Sequence, residues 1–202
     1  FPFVAMYFPS VLVKSSMVVL VTTAFAAIPS SAYAAPPAPS GIIVNVTHNA
    51  SKTVGGSPNS KHRYGMAADW RMVNRSINPV ALGIIAAQYF KAVGIYWYDG
   101  CAIVHTDTRD AKATWLCDAP RHYPSTTYQK FILPTIRRGC TGDANRAATK
   151  MLQRLLGLTP DGIFGEGTEN ALLKAQEANG LTVDGICGPA SWKTISGASK
   201  YL

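Results

Sequence analysis

A glycine-rich turn occurs twice in the last third of the chain, and this repeat constrains the fold more than any other feature of the sequence. The first copy is Asp-Gly-Ile-Phe-Gly-Glu-Gly-Thr at 161–168, and the second is Asp-Gly-Ile-Cys-Gly-Pro-Ala-Ser at 184–191. Each copy ends in a hydroxyl residue, Thr168 or Ser191, that can cap a following helix. The repeat therefore predicts a small helical unit in which each turn leads into a helix.

Helical periodicity flanks the first of these turns. From about Asp143 onward, apolar residues recur at the three- and four-residue spacing of an amphipathic helix. The positions on the two predicted helical faces are Ala147, Met151, Leu152, Leu155, Leu156, Ala171, Leu172, Leu173 and Ala175. This part of the chain is therefore predicted to be all-α.

The preceding part of the chain mixes strand and helix patterns. β-Branched residues at 42–46 predict a strand, whereas the apolar spacing at 78–93 predicts an amphipathic helix. Two further strands are predicted at 94–98 and 102–106, joined by a turn at Asp99-Gly100. The sequence therefore predicts an α+β domain with an antiparallel sheet, followed by the helical domain.

The N-terminal residues have the composition of an export signal. A basic residue precedes an apolar stretch at 17–28, and small residues follow it up to Ala34. A membrane anchor is the alternative, but Pro29 ends a stretch that is already shorter than the roughly 20 residues of a membrane span. We therefore expect a signal peptide at 1–34, a proline-rich linker at 35–41 and no membrane span after cleavage.

The charge of the chain indicates the kind of partner it meets. A formal charge of +8 and an isoelectric point near 9.4 favour nucleic acid, an anionic membrane surface or the anionic polymers of a bacterial wall. The Lys and Arg residues are dispersed, without the basic run or aromatic-studded stripe typical of nucleic-acid binders. We therefore expect no nucleic-acid partner, and we expect the chain to be a monomer.

Export also permits disulfides, and the chain has four cysteines, which allow three pairings. The predicted domains favour Cys101 with Cys117 and Cys140 with Cys187, because each pair then closes within or beside one folding unit. Free thiols are the alternative that the sequence leaves open.

Several motifs recur in order along the predicted helical domain. They are Leu152-Gln153-Arg154-Leu155-Leu156-Gly157, the two glycine-rich turns, Asn179-Gly180-Leu181 and Trp192. In this order and spacing they resemble the peptidoglycan-binding domain of three short helices. The resemblance implies a C-terminal three-helix all-α domain at 143–198 that binds wall polymer and carries out no chemistry. We expect its turn glycines to serve backbone geometry and Trp192 to lie in the core.

Two histidines and an aspartate form the clearest chemical pattern in the predicted α+β domain. His62 and Asp69 lie seven residues apart, and His105 follows in a predicted strand. Two imidazoles and one carboxylate leave the fourth position of a tetrahedral zinc ion for water or substrate, which is what a catalytic site needs. Spacing alone is weak evidence, because an isolated histidine is far more often a satisfied surface or core residue.

Further motifs surround these residues. They are Asn49-Ala50, Val54-Gly55-Gly56-Ser57, Asn59-Ser60, Gly65, Ala67-Ala68, Gly94-Ile95-Tyr96 and Thr106-Asp107. Together they resemble the zinc D-Ala-D-Ala carboxypeptidase family, whose members cut D-amino-acid-containing wall peptides. The resemblance implies a small mixed zinc peptidase domain at 42–125 and a linker at 126–142, with Zn2+ held by His62, Asp69 and His105.

The same resemblance implies roles for neighbouring residues. Ser60 and Arg63 are predicted to bind substrate, and Asp107 is predicted to support His105 or to act as the catalytic general base. Two features depart from the family pattern. Many members have an acid three residues before the last histidine, where this chain has Ala102, and an upstream substrate-binding arginine that this chain lacks.

Substitutes for the two missing groups are present in the sequence. Arg71 is the alternative to Arg63 as the substrate-binding cation. Asp99 is the alternative general base, although a carboxylate beside Gly100 in a turn is more typical of a protein surface. His48 is predicted to be a solvated loop residue and not an additional metal ligand.

These patterns predict a secreted, cell-wall-associated zinc peptidase that hydrolyses peptide bonds in peptidoglycan by metal-assisted attack of water. Two alternatives stay open. One is a non-catalytic peptidoglycan-binding protein with a degenerate, truncated peptidase domain, and the other is an amidase that acts on the same wall substrate. Manganese or cobalt could occupy the same ligands, although zinc is the usual ion in such sites.

Overall fold

The structure, a computed structural model, describes residues 42–45, 60–64, 66–72, 77–118, 123–124 and 132–202. The predicted signal peptide and the predicted linker at 35–41 lie outside these residues. The described strands are β1 Ile42–Asn45, β2 Ala67–Met72, β3 Ala92–Tyr98, β4 Cys101–Asp107, β5 Ala113–Cys117 and β6 Tyr123–Pro124. The described helices are α1 Pro79–Ala86, α2 Asp143–Leu155, α3 Glu166–Ala178 and α4 Pro189–Ile195, with 3-10 helices at Lys61–Tyr64 and Ala198–Lys200.

The strands form one mixed sheet in the order β1-β2-β4-β3-β5-β6, antiparallel except where β3 lies beside β5. This confirms the predicted combination of a small sheet with a helical C-terminal region. The helix predicted at 78–93 is wrong in its second half, since α1 ends at Ala86 and β3 begins at Ala92. Ala92 pairs with Asp107 on one side and Ala113 on the other, and these backbone hydrogen bonds outweigh the local helical periodicity.

The two faces of the sheet differ in character because successive side chains of a strand point to opposite faces. One cross-strand row is buried and apolar, and consists of Trp70, Val104, Ile95 and Leu116. The adjacent row, which faces the other way, consists of Asp69, His105, Gly94 and Trp115. The first face is here named the core face. The second, named the site face, carries the titratable side chains of Asp69 and His105.

Helix α1 covers the core face. Asn78 caps its N-terminus by accepting a hydrogen bond from the backbone N–H of Ala81 at 2.9 Å, and Pro79 occupies the first turn, where no N–H is needed. All eight residues of α1 are buried. A Cβ atom at Gly83 would lie 2.6 Å from side-chain carbons of Ile95, so the close approach of helix to sheet depends on this glycine.

A buried glutamine stabilises each glycine-rich turn. Gln153 donates from Nε2 to Asp161 Oδ1 at 2.7 Å and to Thr168 Oγ1 at 3.0 Å, and its Oε1 accepts from Gly162 N at 2.9 Å. The second turn repeats these contacts with Gln176, Asp184, Ser191 and Gly185. Gly162 and Gly185 have φ angles of +81° and +69°, which confirms that backbone geometry requires glycine there.

One hydrophobic core joins the sheet and the helical domain. Trp192 is fully buried, as predicted, and donates from its indole nitrogen to the carbonyl oxygen of Pro134 at 2.9 Å. Three apolar residues of the predicted linker at 126–142 are also buried, namely Ile132, Leu133 and Ile136. The chain from Ile132 onward therefore packs as part of the core.

Polar contacts add to this apolar junction. Lys150 on α2 lies 2.8 Å from a carboxylate oxygen of Asp118, whose side chain is buried at the end of β5. Asn78, the residue that caps α1, also donates to the carbonyl oxygen of Ser196 at 2.8 Å. The helical domain is therefore held against the sheet by contacts at both α1 and β5.

All four cysteines lie within the described residues, and none forms a disulfide. The favoured pair Cys101 and Cys117 is not formed because β3 runs between their strands, which separates them by two strand spacings, roughly 9 to 10 Å. A disulfide needs Cα atoms within about 7 Å. Cys187 is fully buried, and this burial raises the pKa of its thiol.

Candidate metal centre

The predicted metal ligands come from three different elements that meet on the site face. His62 lies in the 3-10 helix that precedes β2, and a hydrogen bond from Met66 N to Lys61 O closes this turn at 3.0 Å. Asp69 on β2 is directly paired with His105 on β4. Because paired residues share a face, strand register brings the carboxylate and the second imidazole together.

The three ligand atoms form a nearly equilateral triangle. His62 Nε2 is 3.2 Å from Asp69 Oδ1 and 3.0 Å from His105 Nδ1, and the latter two atoms are 2.9 Å apart. A tetrahedron with metal–ligand distances near 2.05 Å has edges of roughly 3.3 Å. The triangle therefore matches one face of such a tetrahedron. Within the part of the chain that the structure describes, no other three candidate ligands come together in this way.

Three atoms that each carry a lone pair approach this closely only when protons or a cation lie between them. Burial alone would raise the pKa of Asp69, but hydrogen bonds from His105 and His62 outweigh it and lower that pKa to about 2. Burial alone would lower the pKa of His105, but its hydrogen bonds to Asp107 and Asp69 outweigh it and raise that pKa. A bound metal cation would take the place of the proton on His105 Nδ1, and the ionised Asp69 carboxylate and the closely spaced imidazole nitrogens fit such an ion.

Asp107 lies behind His105, on the side of the ring away from the triangle. His105 Nε2 is 3.2 Å from Asp107 Oδ2, while Asp107 Oδ1 accepts from the backbone N and the Nε of Arg109 at 3.1 and 2.8 Å. Asp107 is 1 % exposed, and burial alone would raise the pKa of its carboxyl group. The hydrogen bonds from His105 and Arg109 outweigh burial and hold that pKa well below its usual range. This contact keeps the proton of His105 on Nε2 and leaves Nδ1 for a metal.

An aromatic wall lies beside the triangle. The ring of Trp115 is 5.2 Å from the ring of His105, measured between centroids. The indole rests on Gly94, where a Cβ atom would come within 2.2 Å of it, and its Nε1 donates to the hydroxyl of Tyr96 at 2.8 Å. Arg109 stacks over the same indole at 5.4 Å.

The predicted substrate-binding residues lie in or just before the 3-10 helix that carries His62. Ser60 is partly buried and immediately precedes the 3-10 helix, and Arg63 belongs to that helix, although its side chain is outside the described residues. Arg71, the alternative cation, is exposed. It lies two residues beyond Asp69 on β2, so both side chains leave the same face of the sheet.

Neither position 102 nor Asp99 places a side chain beside the triangle. Ala102 is three residues before His105 on β4, so it is exposed on the opposite face of the sheet. An acid at that position would point away from the triangle. Asp99 is fully exposed in the turn between β3 and β4, which confirms the surface carboxylate expected there. His48 lies outside the described residues.

Sequence analysis did not identify the roles of Arg109 and Trp115. Trp115 lies in β5, whose sequence Ala-Thr-Trp-Leu-Cys has no regular polar–apolar alternation that would have marked its face. The contact between Arg109 and Asp107 spans only two residues, but it follows the end of β4 and has no periodic signal.

Comparison with known proteins identifies the helical domain. The model of the family described as "Putative peptidoglycan binding domain" matches residues 141–195, which include α2, α3, α4 and both glycine-rich turns. The match supports a peptidoglycan-binding domain in the C-terminal region, with peptidoglycan as a partner and association with the cell wall. The match contains no residue of the metal centre. No curated protein and no solved structure matches the chain.

Among the described residues, no helix has both the length and the apolar character that crossing a membrane requires.

Proposed function

We propose that the chain is a secreted zinc-dependent peptidase that hydrolyses peptide bonds in peptidoglycan and is held on its substrate by the C-terminal domain. The observation that supports this most strongly is the triangle formed by His62, Asp69 and His105. A structural zinc site has four protein ligands, whereas this cluster offers three among the residues that the structure describes. Its Asp69 side chain is 29 % exposed, so water and substrate can reach it.

Zn2+ held by these three residues would lower the pKa of a bound water molecule and polarise the scissile carbonyl group. The chain supplies the orientation that this chemistry needs. Asp107 fixes the ring of His105 and its tautomer, and Arg109 balances the charge of the buried Asp107 carboxylate. Trp115 packs beside the His105 ring, with 5.2 Å between the ring centroids.

Acidic residues are scarce in the sheet domain, and this limits the proton-transfer roles they can take. The acids between residues 42 and 142 are Asp69, Asp99, Asp107, Asp110 and Asp118. Asp99 and Asp110 are exposed in turns, and Asp118 is bound to Lys150. Asp107 is enclosed by His105 and Arg109, so the proposal gives it a positioning role and not the role of general base.

The distribution of charge supports contact between the sheet domain and an anionic wall. Residues 141–202 contain six basic and six acidic residues, so the formal charge of +8 lies in residues 1–140, and +7 of it remains without Lys14 of the predicted signal peptide. Arg71 is exposed on the site face, where it can bind a substrate carboxylate. The sheet domain thus contributes its own attraction to the wall, in addition to the peptidoglycan-binding domain.

Digestion of purified peptidoglycan tests the proposal. The chain beginning at Ala35 is incubated with peptidoglycan, its bound metal is quantified, and released fragments are examined by mass spectrometry. His62→Ala and Asp69→Ala should abolish both zinc binding and fragment release, as should a chelator. Asp99→Ala is the matched control, because it removes an equivalent carboxylate that is fully exposed.

Each outcome has a definite meaning. Fragments whose release requires His62 and Asp69 would establish the hydrolase, and their new ends would distinguish a peptidase from an amidase. Wall that is bound but never cut by the zinc-loaded chain would refute the peptidase and leave a peptidoglycan-binding protein with an inactive sheet domain.

A further inference from the structure

The hydroxyl group of Tyr96 is bonded to Trp115, the aromatic neighbour of His105 on the site face. Gly94 is paired with His105 across β3 and β4, and Tyr96 follows two residues later on the same face. Tyr96 is partly buried, so its side chain borders solvent. A tyrosine in this place belongs to the wall beside the triangle and not to the core.

Trp115 fixes the position of this hydroxyl. The indole occupies the space above Gly94, where a Cβ atom would lie 2.3 Å from Nε1, and it does so beside the ring of His105. From there its Nε1–H donates to the Tyr96 oxygen at 2.8 Å. The phenol oxygen is therefore drawn toward the Gly94 row, in which Asp69 and His105 also lie.

The hydroxyl keeps its proton at neutral pH. Burial raises the pKa of Tyr96, and the nearby Cys117 thiol and Asp69 carboxylate raise it further. The Tyr96 oxygen already accepts a hydrogen bond from Trp115 Nε1. Tyr96 can therefore act as a donor through its own O–H group. Its present side-chain contact is with Cys117, and sulfur is a weak acceptor that a carbonyl oxygen can replace.

We propose that Tyr96 is a further catalytic residue of this site, whose O–H donates a hydrogen bond to the carbonyl oxygen of the scissile amide as that oxygen gains negative charge. This inference rests on the proposed peptidase function. A fixed donor aimed at such an oxygen stabilises the transition state more than the ground state, and removing one typically lowers kcat by about 100- to 1000-fold.

Tyr96→Phe tests the inference, with Tyr98→Phe as the matched control. Tyr98 is two residues beyond Tyr96 on β3, so it lies on the same face. The indole N–H of Trp115 donates to Tyr96 and not to Tyr98. For Tyr96→Phe we expect kcat to fall about 100-fold while KM and bound zinc change by less than about 3-fold. For Tyr98→Phe we expect changes of less than about 3-fold in all three.

A binding measurement supplies a readout that does not depend on turnover. Calorimetry of the zinc-loaded chain is performed with a phosphinate analogue of the bond that peptidoglycan digestion identifies. Its tetrahedral oxygens imitate the charged intermediate, so Tyr96→Phe should weaken phosphinate binding by about the same factor as kcat. Trp115→Phe should produce a smaller loss of both, because the hydroxyl stays but loses its anchor.

The outcomes separate this inference from the function on which it rests. If the wild-type chain cuts peptidoglycan and Tyr96→Phe keeps full kcat and phosphinate affinity, the role of Tyr96 is refuted and the peptidase stands. If Tyr96→Phe loses zinc or its fold, Tyr96 is structural, and the inference also fails. If the zinc-loaded wild type neither cuts peptidoglycan nor yields any identifiable bond, both proposals fall.

Discussion

Replacing Asp107 by asparagine should weaken zinc binding without unfolding the chain. Asp107 does not belong to the triangle of ligand atoms, and its side chain has nearly the same shape as asparagine. It holds the Nε2 side of His105, and through that contact it determines which nitrogen of His105 is free to bind a metal. The substitution therefore perturbs orientation and charge while leaving all three ligands in place.

The size of the effect follows from the hydrogen bonds around the carboxylate. Asp107 Oδ2 accepts from His105 and from Arg109 Nη2, and Oδ1 accepts twice from Arg109. Whichever way an asparagine amide is oriented, its NH2 group replaces an oxygen that faces two donors. Loss of such a supporting carboxylate typically lowers metal affinity by about 10- to 100-fold, which corresponds to roughly 1.4 to 2.7 kcal/mol.

Competition with a chromophoric zinc chelator measures this change directly. Asp110→Asn is the matched control, since Asp110 is exposed three residues beyond β4 and should leave zinc affinity within about 2-fold of the wild type. Circular dichroism verifies that both variants are folded. Unchanged zinc affinity in Asp107→Asn would refute the argument that Asp107 orients His105, whatever its effect on hydrolysis.

Three further predictions concern the helical domain and its junction with the sheet. Gln176→Ala should lower the free energy of unfolding by about 3 kcal/mol in urea titrations, because it leaves several buried backbone and side-chain groups without partners, whereas exposed Glu177→Ala should cost less than about 0.5 kcal/mol. Lys150→Ala should cost about 3 kcal/mol in the same titration, since it leaves the buried Asp118 carboxylate unpaired; a loss under 1 kcal/mol would contradict that. Backbone and Gln176 hydrogen bonds lower the pKa of Asp184, so its stabilising contribution is complete above its unfolded pKa of about 3.9 and disappears as pH falls through the lower folded value. Thermal melts between pH 5 and pH 2 should therefore fall more steeply for the wild type than for Asp184→Asn.

The helical domain could be predicted well because its signals are local. Periodic apolar positions and turn glycines fix helices and turns within a few residues of sequence, and the family match covers this region. The buried, turn-stabilising roles of Gln153 and Gln176 were not predicted, because polar residues in an amphipathic helix are usually expected at the surface. Their spacing of 23 residues equals that between Asp161 and Asp184, so alignment of the two repeats would have revealed them.

The sheet was harder to predict because strand pairing is not local. The pattern at 78–93 is consistent with a single helix, and only pairing of Ala92 with Asp107 and Ala113 shows that its last residues belong to β3. The three candidate ligands were predicted through the resemblance to the zinc D-Ala-D-Ala carboxypeptidase family, because residue type and spacing alone are weak evidence. Their distances, and the position of Asp107 behind the ring of His105, depend on the register between β2 and β4.

Strand alternation also changes the significance of Ala102. Compared with the family pattern, an alanine three residues before the last histidine suggests a lost catalytic acid. In this sheet, however, residue 102 projects from the opposite face to His105, so an acid there would lie far from the triangle. The register of β4 therefore departs from the family pattern at this position, and it places no acid beside the triangle there.

In the proposed function, the two faces of the sheet separate attachment to the wall from the metal centre. The core face is covered by α1 and by the peptidoglycan-binding domain, through one continuous core and the contact between Lys150 and Asp118. The site face carries the triangle and the aromatic wall. From Ile132 onward the described residues of the helical domain pack into the same hydrophobic core as the sheet that carries the triangle. We therefore expect the bond cut to be chosen partly by where the polymer is anchored and partly by the pocket around Tyr96 and Trp115.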